Sequence, residues 1–204
     1  MSNKEILQKA KELVELLEKQ EESGKVKLSE LNPGDIFQTT GKRKYKVLEQ
    51  YTGYTKIISF GFVKEDVKFD DGTSNYEKSS LRKLCDTEIL KDFEEEFGED
   101  NIETDVADLI TVDGQKIGEV KCKVRPLTFD EARKYTELTP NEELDDCYWT
   151  CSAWSTEGRG WKYAHAVVSP SGVIIRSIYY GGCGVRPVCI LKSNLFVSKV
   201  EEWK

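Results

Sequence analysis

The chain has 204 residues, of which 38% are hydrophobic and 33% are charged, enough for one folded core and an accessory segment. Its net charge is -7. This charge disfavours partners bound through phosphate groups, such as nucleic acids and membrane surfaces, because that binding draws on a surplus of Lys and Arg. It suits a basic protein partner, and it is also ordinary for a soluble protein.

Hydropathy makes membrane insertion and export unexpected. No apolar run approaches the roughly 18 residues that cross a bilayer, and the N-terminal stretch lacks the apolar centre of a signal peptide. We therefore expect a protein that stays in the cytoplasm unless a particle carries it out. In that reducing compartment its six cysteines are expected to be thiols that behave as small buried hydrophobes.

Residues 1–24 predict an amphipathic helix that precedes the folded body at 25–204. The helix is about three heptads long, which is short for a stable isolated coiled coil, so it must dock on the body or on copies of itself. We expect a homo-oligomer formed through its apolar stripe. The residues of that stripe recur at spacings of 4, 3 and 4: Ile6, Ala10, Leu13 and Leu17.

The first part of the body predicts an antiparallel meander. Segments 36–39, 45–50 and 56–63 are rich in β-branched and aromatic residues and are separated by glycine-marked turns. We expect five of their side chains in the core: Phe37, Tyr45, Val47, Ile57 and Phe60.

The middle of the chain predicts a turn and then helices. The acidic loop at 70–75 resembles a calcium loop only loosely, since such loops place carboxylates at alternate positions and end on a bidentate Glu. We interpret it as a turn. A helical region follows over 75–97 and ends at Gly98.

Two local signals follow the helical region. Asp113 and Gly114 separate strand patterns at 109–112 and 116–124, which predicts a hairpin with a tight primed turn. Thr128 and Glu131 have the spacing of a capping box, which predicts the start of a short helix.

The last third of the chain predicts three strands, at 163–168, 173–178 and 185–191. Pro, Ser and Gly at 170–172 mark the turn between the first two strands. Arg186 and Pro187 are interpreted as structural, with a partly buried arginine fixed by carbonyl groups or a carboxylate.

Three segments together resemble a known family. They are Asn-Tyr-Glu-Lys-Ser-Ser-Leu-Arg at 75–82, Tyr-Trp at 148–149 and Gly-Val-Arg-Pro-Val at 184–188. The chain resembles a domain of unknown function common in phages and Gram-positive bacteria, which is similar to the C-type-lectin-like fold of sulfatase-modifying factors. The resemblance implies an α+β fold of antiparallel hairpins and short helices. It also implies a phage or prophage origin and a location in the host cytoplasm or the virion.

Catalytic and metal chemistry have few candidates. The single histidine, His165, is interpreted as a satisfied, half-buried strand residue, with a ligand or general-base role as the weaker alternative. Copper-binding formylglycine-generating enzymes carry a cysteine pair where this chain has none, at 172–182. A zinc site formed by four cysteines is a weaker alternative, because their spacings lie outside the tight zinc patterns. These cysteines are Cys147, Cys151, Cys183 and Cys189. We expect a protein that binds no cofactor or metal and is not an enzyme.

Binding has better candidates in the loops between the last strands. These residues belong to types that carry interface energy: Trp154, Arg159, Trp161, Tyr179 and Tyr180. In the C-type-lectin-like fold the late loops form the ligand face, so the resemblance implies the same here. The alternative interpretation places Trp149 and Trp161 in the core and leaves only Trp154, Tyr179 and Tyr180 exposed.

We therefore hypothesise a non-catalytic protein-binding module, one version of which is an inhibitor of a bacterial immune system. Its partner would be a protein of unknown identity. Two alternatives remain open from the sequence: a glycan-binding virion or surface adhesin, and a metalloenzyme related to sulfatase-modifying factors.

Overall fold

The computed structural model describes residues 6–9, 11 and 25–200. Residues 6–9 and 11 are helical, and the side chains of Ile6 and Leu7 are exposed. The other residues of the predicted oligomerisation stripe, Ala10, Leu13 and Leu17, lie outside the described residues. Self-association through this stripe therefore stays a prediction.

The described residues form a mixed α+β fold that is rich in strands. The first eight strands are β1 (Val26–Lys27), β2 (Ile36–Gln38), β3 (Lys44–Tyr51), β4 (Tyr54–Ser59), β5 (Lys64–Lys68), β6 (Ile102–Glu103), β7 (Asp105–Ile110) and β8 (Lys116–Cys122). The remaining strands are β9 (Val124–Arg125), β10 (Tyr148–Ala153), β11 (Ala164–Val168), β12 (Ile174–Ile178), β13 (Gly182–Val185), β14 (Val188–Lys192) and β15 (Phe196–Val200).

Three short α-helices accompany these strands: α1 (Ser80–Leu84), α2 (Leu90–Phe97) and α3 (Phe129–Lys134). A π-helical turn at Cys85–Ile89 joins α1 to α2. Among the described residues, none of the helices has the length and apolarity needed to cross a bilayer.

The larger sheet has eight strands, in the order β1-β15-β2-β3-β4-β14-β6, and β9 also pairs with β14. Strands β2, β3 and β4 form the predicted antiparallel meander. Four of the five predicted core residues are fully buried: Phe37, Tyr45, Val47 and Ile57. The prediction for Phe60 is wrong: its ring is partly exposed, and the ammonium groups of Lys44 and Lys46 lie over it. The strand predicted over 56–63 ends at Ser59.

The smaller sheet has five strands, in the order β12-β11-β10-β13-β5. The predicted hairpin at 163–178 is present as β11 and β12. Neighbouring residues of this sheet enter different cores: Trp149 and Val167 join the main cluster, and Tyr148 and Val168 join the second cluster beneath α3. The sheet therefore buries both faces over β10 and β11.

The strand predicted over 185–191 is confirmed from Val188 onwards, within β14, but it is interrupted at 186–187, where the chain changes sheet. Strand β13 belongs to the smaller sheet and β14 to the larger one, with Arg186 and Pro187 between them. The Arg186 side chain is fully buried, its Nε donates to the carbonyl oxygen of Ser59 at 2.8 Å, and Nη1 donates to that of Thr139 at 2.6 Å. Ser59 in turn donates its N–H to the Pro187 oxygen at 3.0 Å. The expectation of an arginine fixed by carbonyls is confirmed, although it is buried completely.

The acidic loop at 70–75 is a turn held by one carboxylate, as predicted. Asp70 accepts from the backbone of Gly72 and Thr73 and from both the N–H and the hydroxyl of Ser80. Burial raises the pKa of this carboxyl, but these hydrogen bonds outweigh it, and the pKa lies below its usual value. Gly98, with φ +84°, ends α2 as predicted.

The predicted hairpin is present as β7 and β8, but its turn is not the primed type. A type I′ turn needs a positive φ at both central residues. Gly114 has φ +86°, but the φ of Asp113 is not positive. The capping box at Thr128 and Glu131 is confirmed. Glu131 also binds the guanidinium of buried Arg125, a contact that the capping pattern does not predict.

We predict that Arg186→Lys destabilises the protein by about 2 kcal/mol or more. A lysine ammonium cannot serve both carbonyl groups in the fork geometry of a guanidinium, so one buried carbonyl loses its donor. Equilibrium unfolding in urea measures the change. The matched control is Arg133→Lys on the exposed side of α3, expected within about 0.5 kcal/mol of the parent. Equal stability of both variants would contradict the assigned role of Arg186.

Candidate functional site

Exposed apolar side chains concentrate in one short part of the chain. Twelve large hydrophobic side chains are exposed among the described residues, and six of them lie within 161–180. These six are named here the β12 surface: Trp161, Tyr163, Val173, Ile175, Ile178 and Tyr180. Single exposed hydrophobic residues are normal on a protein surface, but a concentration of this kind is typical of an interaction site.

Strand β12 forms an edge of the smaller sheet, and among the described residues no strand pairs with its outer side. Its inner side is fixed by the β11 ladder: Tyr179 donates its N–H to Tyr163, and Ser169 donates to Val173. Because hydrogen-bonded and non-hydrogen-bonded pairs alternate in an antiparallel ladder, the backbone groups of Ile174 and Arg176 point outwards.

Three tyrosines lie together beside this edge. The Tyr163 ring centroid lies 5.7 Å from that of Tyr179 and 6.3 Å from that of Tyr180. Tyr180 is 49% exposed, but Tyr179 is only 2% exposed. The expectation that Tyr179 is exposed is therefore wrong. Tyr179 is the buried support on which the two exposed rings pack.

The three remaining predicted residues have different positions. Trp161 is exposed, and the guanidinium of Arg176 lies 4.7 Å from its ring centroid, which orients both side chains. Arg159 is exposed but binds Asp113 of the β7–β8 turn at 2.8 Å. Trp154 is partly buried, at the start of the loop after β10. The alternative that placed Trp161 in the core is wrong, whereas Trp149 is fully buried, as both interpretations allowed.

Asp113 holds the loop that carries Arg159 and Trp161. Its carboxylate accepts from the hydroxyls of Thr111 and Ser155 and from the guanidinium of Arg159. These hydrogen bonds, led by that from Thr111, hold the pKa of Asp113 below its usual range. The loop is thereby attached to the β7–β8 hairpin. Arg159 holds the loop in place, and its guanidinium is not free to bind a partner.

The charge of this region is opposite to that of the whole chain. Residues 157–180 contain three basic residues, Arg159, Lys162 and Arg176, and one acidic residue, Glu157, whereas the chain as a whole carries -7. Arg159 is paired with Asp113 and Lys162 with Glu157, so Arg176 is the basic side chain of this stretch that has no ion pair among the described residues. The site is therefore an apolar edge with one positive charge, at Arg176. It suits an acidic partner segment better than the basic partner that net charge alone favours.

Four members of the β12 surface were not among the sequence candidates: Tyr163, Val173, Ile175 and Ile178. Three of them lie in β12 or directly before it, in a stretch that is apolar from 173 to 180 except for Arg176 and Ser177, a pattern typical of a buried strand. Arg176 is the one signal in the sequence that argues against full burial of this strand, since an unpaired arginine is seldom buried.

His165 has no role at this surface. Its side chain is fully buried, its ring centroid lies 3.8 Å from that of Phe69, and its Nε2 donates to the Thr150 carbonyl at 2.9 Å. Burial lowers the pKa of His165 to about 4. The side chain is thus a core residue that is more deeply buried than predicted and is neutral at pH 7. It is not fully satisfied, because its buried Nδ1 has no hydrogen-bond partner among the described residues.

The four cysteines of the alternative zinc site do not form one cluster. Cys147 and Cys183 form one pair, while Cys151 contacts the Pro126 carbonyl. Over residues 6–9, 11 and 25–200, no group of three or more His, Cys, Asp and Glu side chains has a metal-binding arrangement. All six cysteines are free thiols.

Comparison with known proteins gives no relative. No protein-family model, curated protein or solved structure matches the chain. The geometry of the β12 surface is therefore the basis for a functional proposal.

We predict that stability falls by about 2 kcal/mol between pH 7 and pH 5, because of His165. Its pKa is about 4 in the folded protein and about 6.5 in the unfolded chain, so the unfolded chain binds more protons in this interval. Stability is therefore complete above pH 6.5 and is lost as the pH falls towards 4. Urea unfolding at the two pH values measures the loss.

The control is His165→Gln, which keeps an amide donor for the Thr150 carbonyl and does not titrate. Because the chain has a single histidine, this part of the pH dependence should disappear in the variant. An equal fall in stability for parent and variant would assign the pH dependence to other groups.

Proposed function

We propose that this protein is a non-catalytic binding module that takes up an extended segment of a partner protein beside β12. The observation that carries the proposal is an outer strand edge with outward backbone groups at Ile174 and Arg176, surrounded by exposed apolar side chains. Strand addition uses such an edge, because main-chain hydrogen bonds supply affinity and neighbouring side chains supply specificity. An apolar edge left uncovered is also an aggregation hazard.

Exposed aromatic rings beside the edge are the proposed anchors. Trp161 and Tyr180 belong to the residue types that dominate interface energies, and each is already oriented by a neighbour. Arg176 stacks on Trp161, and Tyr179 supports Tyr180. Such preorganisation reduces the entropy lost when a partner binds.

The proposed partner segment is acidic and comes from a different protein. The guanidinium of Arg176, which has no ion pair among the described residues, favours a carboxylate opposite it, whereas Lys162 is already paired with Glu157. Pairing β12 with a second copy in antiparallel orientation about its centre places Arg176 opposite Arg176, and like charges directly opposite one another are destabilising. A dimer through β12 is therefore disfavoured, and self-association is left to the N-terminal helix.

The wider identity of the module is proposed on sequence resemblance. The C-type-lectin-like fold, the phage or prophage origin and a bacterial immune protein as target all belong to this proposal. The mixed α+β fold supports the first of these only at the level of fold class. A glycan partner is the alternative, since exposed Trp161 and Tyr180 also suit stacking on sugar rings.

We predict that Trp161→Ala and Arg176→Pro each weaken partner binding by about 2 kcal/mol, roughly thirtyfold, while the fold is retained. The first change removes an anchor. The second removes an outward N–H at an edge position where proline costs no ladder hydrogen bond. Tagged full-length protein captures partners from a bacterial host lysate, mass spectrometry identifies them, and titration of the purified partner gives the affinity.

Two matched controls separate strand addition from other losses. Arg176→Ala removes the same side chain but keeps the N–H, so it should bind more tightly than Arg176→Pro. Tyr54→Ala removes an exposed tyrosine on the β3–β4 hairpin and should bind as the parent does. Equal binding by the Ala and Pro variants would refute strand addition. Binding to a glycan array that is lost in Trp161→Ala would refute a protein partner.

A further inference from the structure

Two thiols lie in direct contact at the base of the smaller sheet. The Sγ atoms of Cys147 and Cys183 are 2.9 Å apart, although 36 positions separate the residues in sequence. A disulfide bond is about 2.05 Å long, so the two sulfurs need to move by less than about 1 Å to become bonded.

The backbone brings the two sulfurs together where β10 and β13 pair, next to a register irregularity of β13 between Cys183 and Val185. Strands β10 and β13 run parallel, with Tyr148 opposite Gly184, and Gly184 donates its N–H to the Cys147 carbonyl at 2.9 Å. Neighbouring strands lie about 4.8 Å apart, inside the range of about 4.4–6.8 Å for Cα atoms joined by a disulfide. A bond between Cys147 and Cys183 therefore needs no rearrangement of the sheet.

The two thiols differ in access and in acidity. Cys147 is partly exposed, whereas Cys183 is 1% exposed. The pKa of Cys147 lies below its usual value because Cys183 donates to its sulfur, which outweighs burial and the nearby Asp146. The pKa values of the other five thiols are raised, chiefly by burial and, for Cys183, by its contact with Cys147. Cys147 thus has the properties of an attacking thiol, and Cys183 those of a resolving thiol.

We propose that Cys147 and Cys183 form a reactive dithiol site that reduces low-molecular-weight disulfides of the glutathione type. It becomes a structural disulfide in the process. This inference does not depend on the proposed binding function. The bond closes the segment 147–183, which contains the whole β12 surface.

The reaction is a two-step thiol–disulfide exchange. The Cys147 thiolate attacks one sulfur of the external disulfide, breaks its S–S bond and releases one thiolate, leaving a mixed disulfide on Cys147. The small thiolate released in the first step takes the proton of Cys183, and the Cys183 sulfur then attacks the Cys147 sulfur and expels the second small molecule as a thiolate. In sum, two protein thiols are oxidised to one disulfide and one external disulfide is reduced to two thiols.

The test exposes the purified full-length chain to glutathione disulfide, then alkylates the remaining thiols and maps the peptides by mass spectrometry. We expect a Cys147–Cys183 crosslink and alkylation-detectable thiols at the other four positions after denaturation. Cys183→Ser and Cys183→Ala should stop at the mixed disulfide on Cys147, and Cys147→Ser should not react. Cys189→Ala is the control and should form the crosslink as the parent does.

The oxidised protein should also unfold at a higher temperature, by roughly 10 °C, because a crosslink across a loop of this length restricts the unfolded chain. A crosslink between another pair would overturn the proposal, and so would a parent protein that keeps glutathione on Cys147. A lower midpoint after oxidation would overturn it too, since it would show that the bond forms only by distorting the sheet.

Discussion

The buried guanidinium of Arg186 is the contact on which the arrangement of the two sheets depends. A buried charge is tolerated where polar groups replace the lost water, and here the carbonyls of Ser59 and Thr139 do so. Ser59 ends β4 of the larger sheet, and Arg186 follows β13 of the smaller one. One side chain thus fixes the point at which the chain leaves one sheet and enters the other, and the Pro187 carbonyl next to it accepts a hydrogen bond from the Ser59 N–H.

This junction determines where the β12 surface lies. The chain leaves the acidic connector at Cys147, builds β10, β11 and β12, and returns through β13 to Arg186. Strand β10 lies inside the smaller sheet, while β12 is left at its edge with its outward backbone groups unpaired by any described strand. The Cys147–Cys183 contact lies where this segment begins and ends, with Cys183 three positions before Arg186. Binding surface, thiol pair and sheet crossing therefore belong to one continuous stretch of chain.

Local signals in the sequence predicted much of the fold, and long-range pairing explains most of what they missed. The turn at Asp70 and the capping box at Thr128 depend on residues a few positions apart, so both can be predicted from the sequence. The sheet change at Arg186 is hidden, because apolar, β-prone residues stand on both sides of it. The contact of Cys147 with Cys183 requires the parallel pairing of β10 and β13, which spacing cannot reveal. Tyr179 and Tyr180 are adjacent and of one type, so only the packing tells the buried ring from the exposed one.

Backbone amide exchange across β12 is the decisive measurement for strand addition, since it reports on the hydrogen bonds that an added strand would form. In the free protein, the N–H groups of Ile174 and Arg176 should exchange fast, and those of Ile175 and Ser177, which face β11, should exchange slowly. With the purified partner bound, the N–H groups of Ile174 and Arg176 should be strongly protected from exchange. Unchanged exchange at these two positions, with protection elsewhere on the protein, would contradict strand addition.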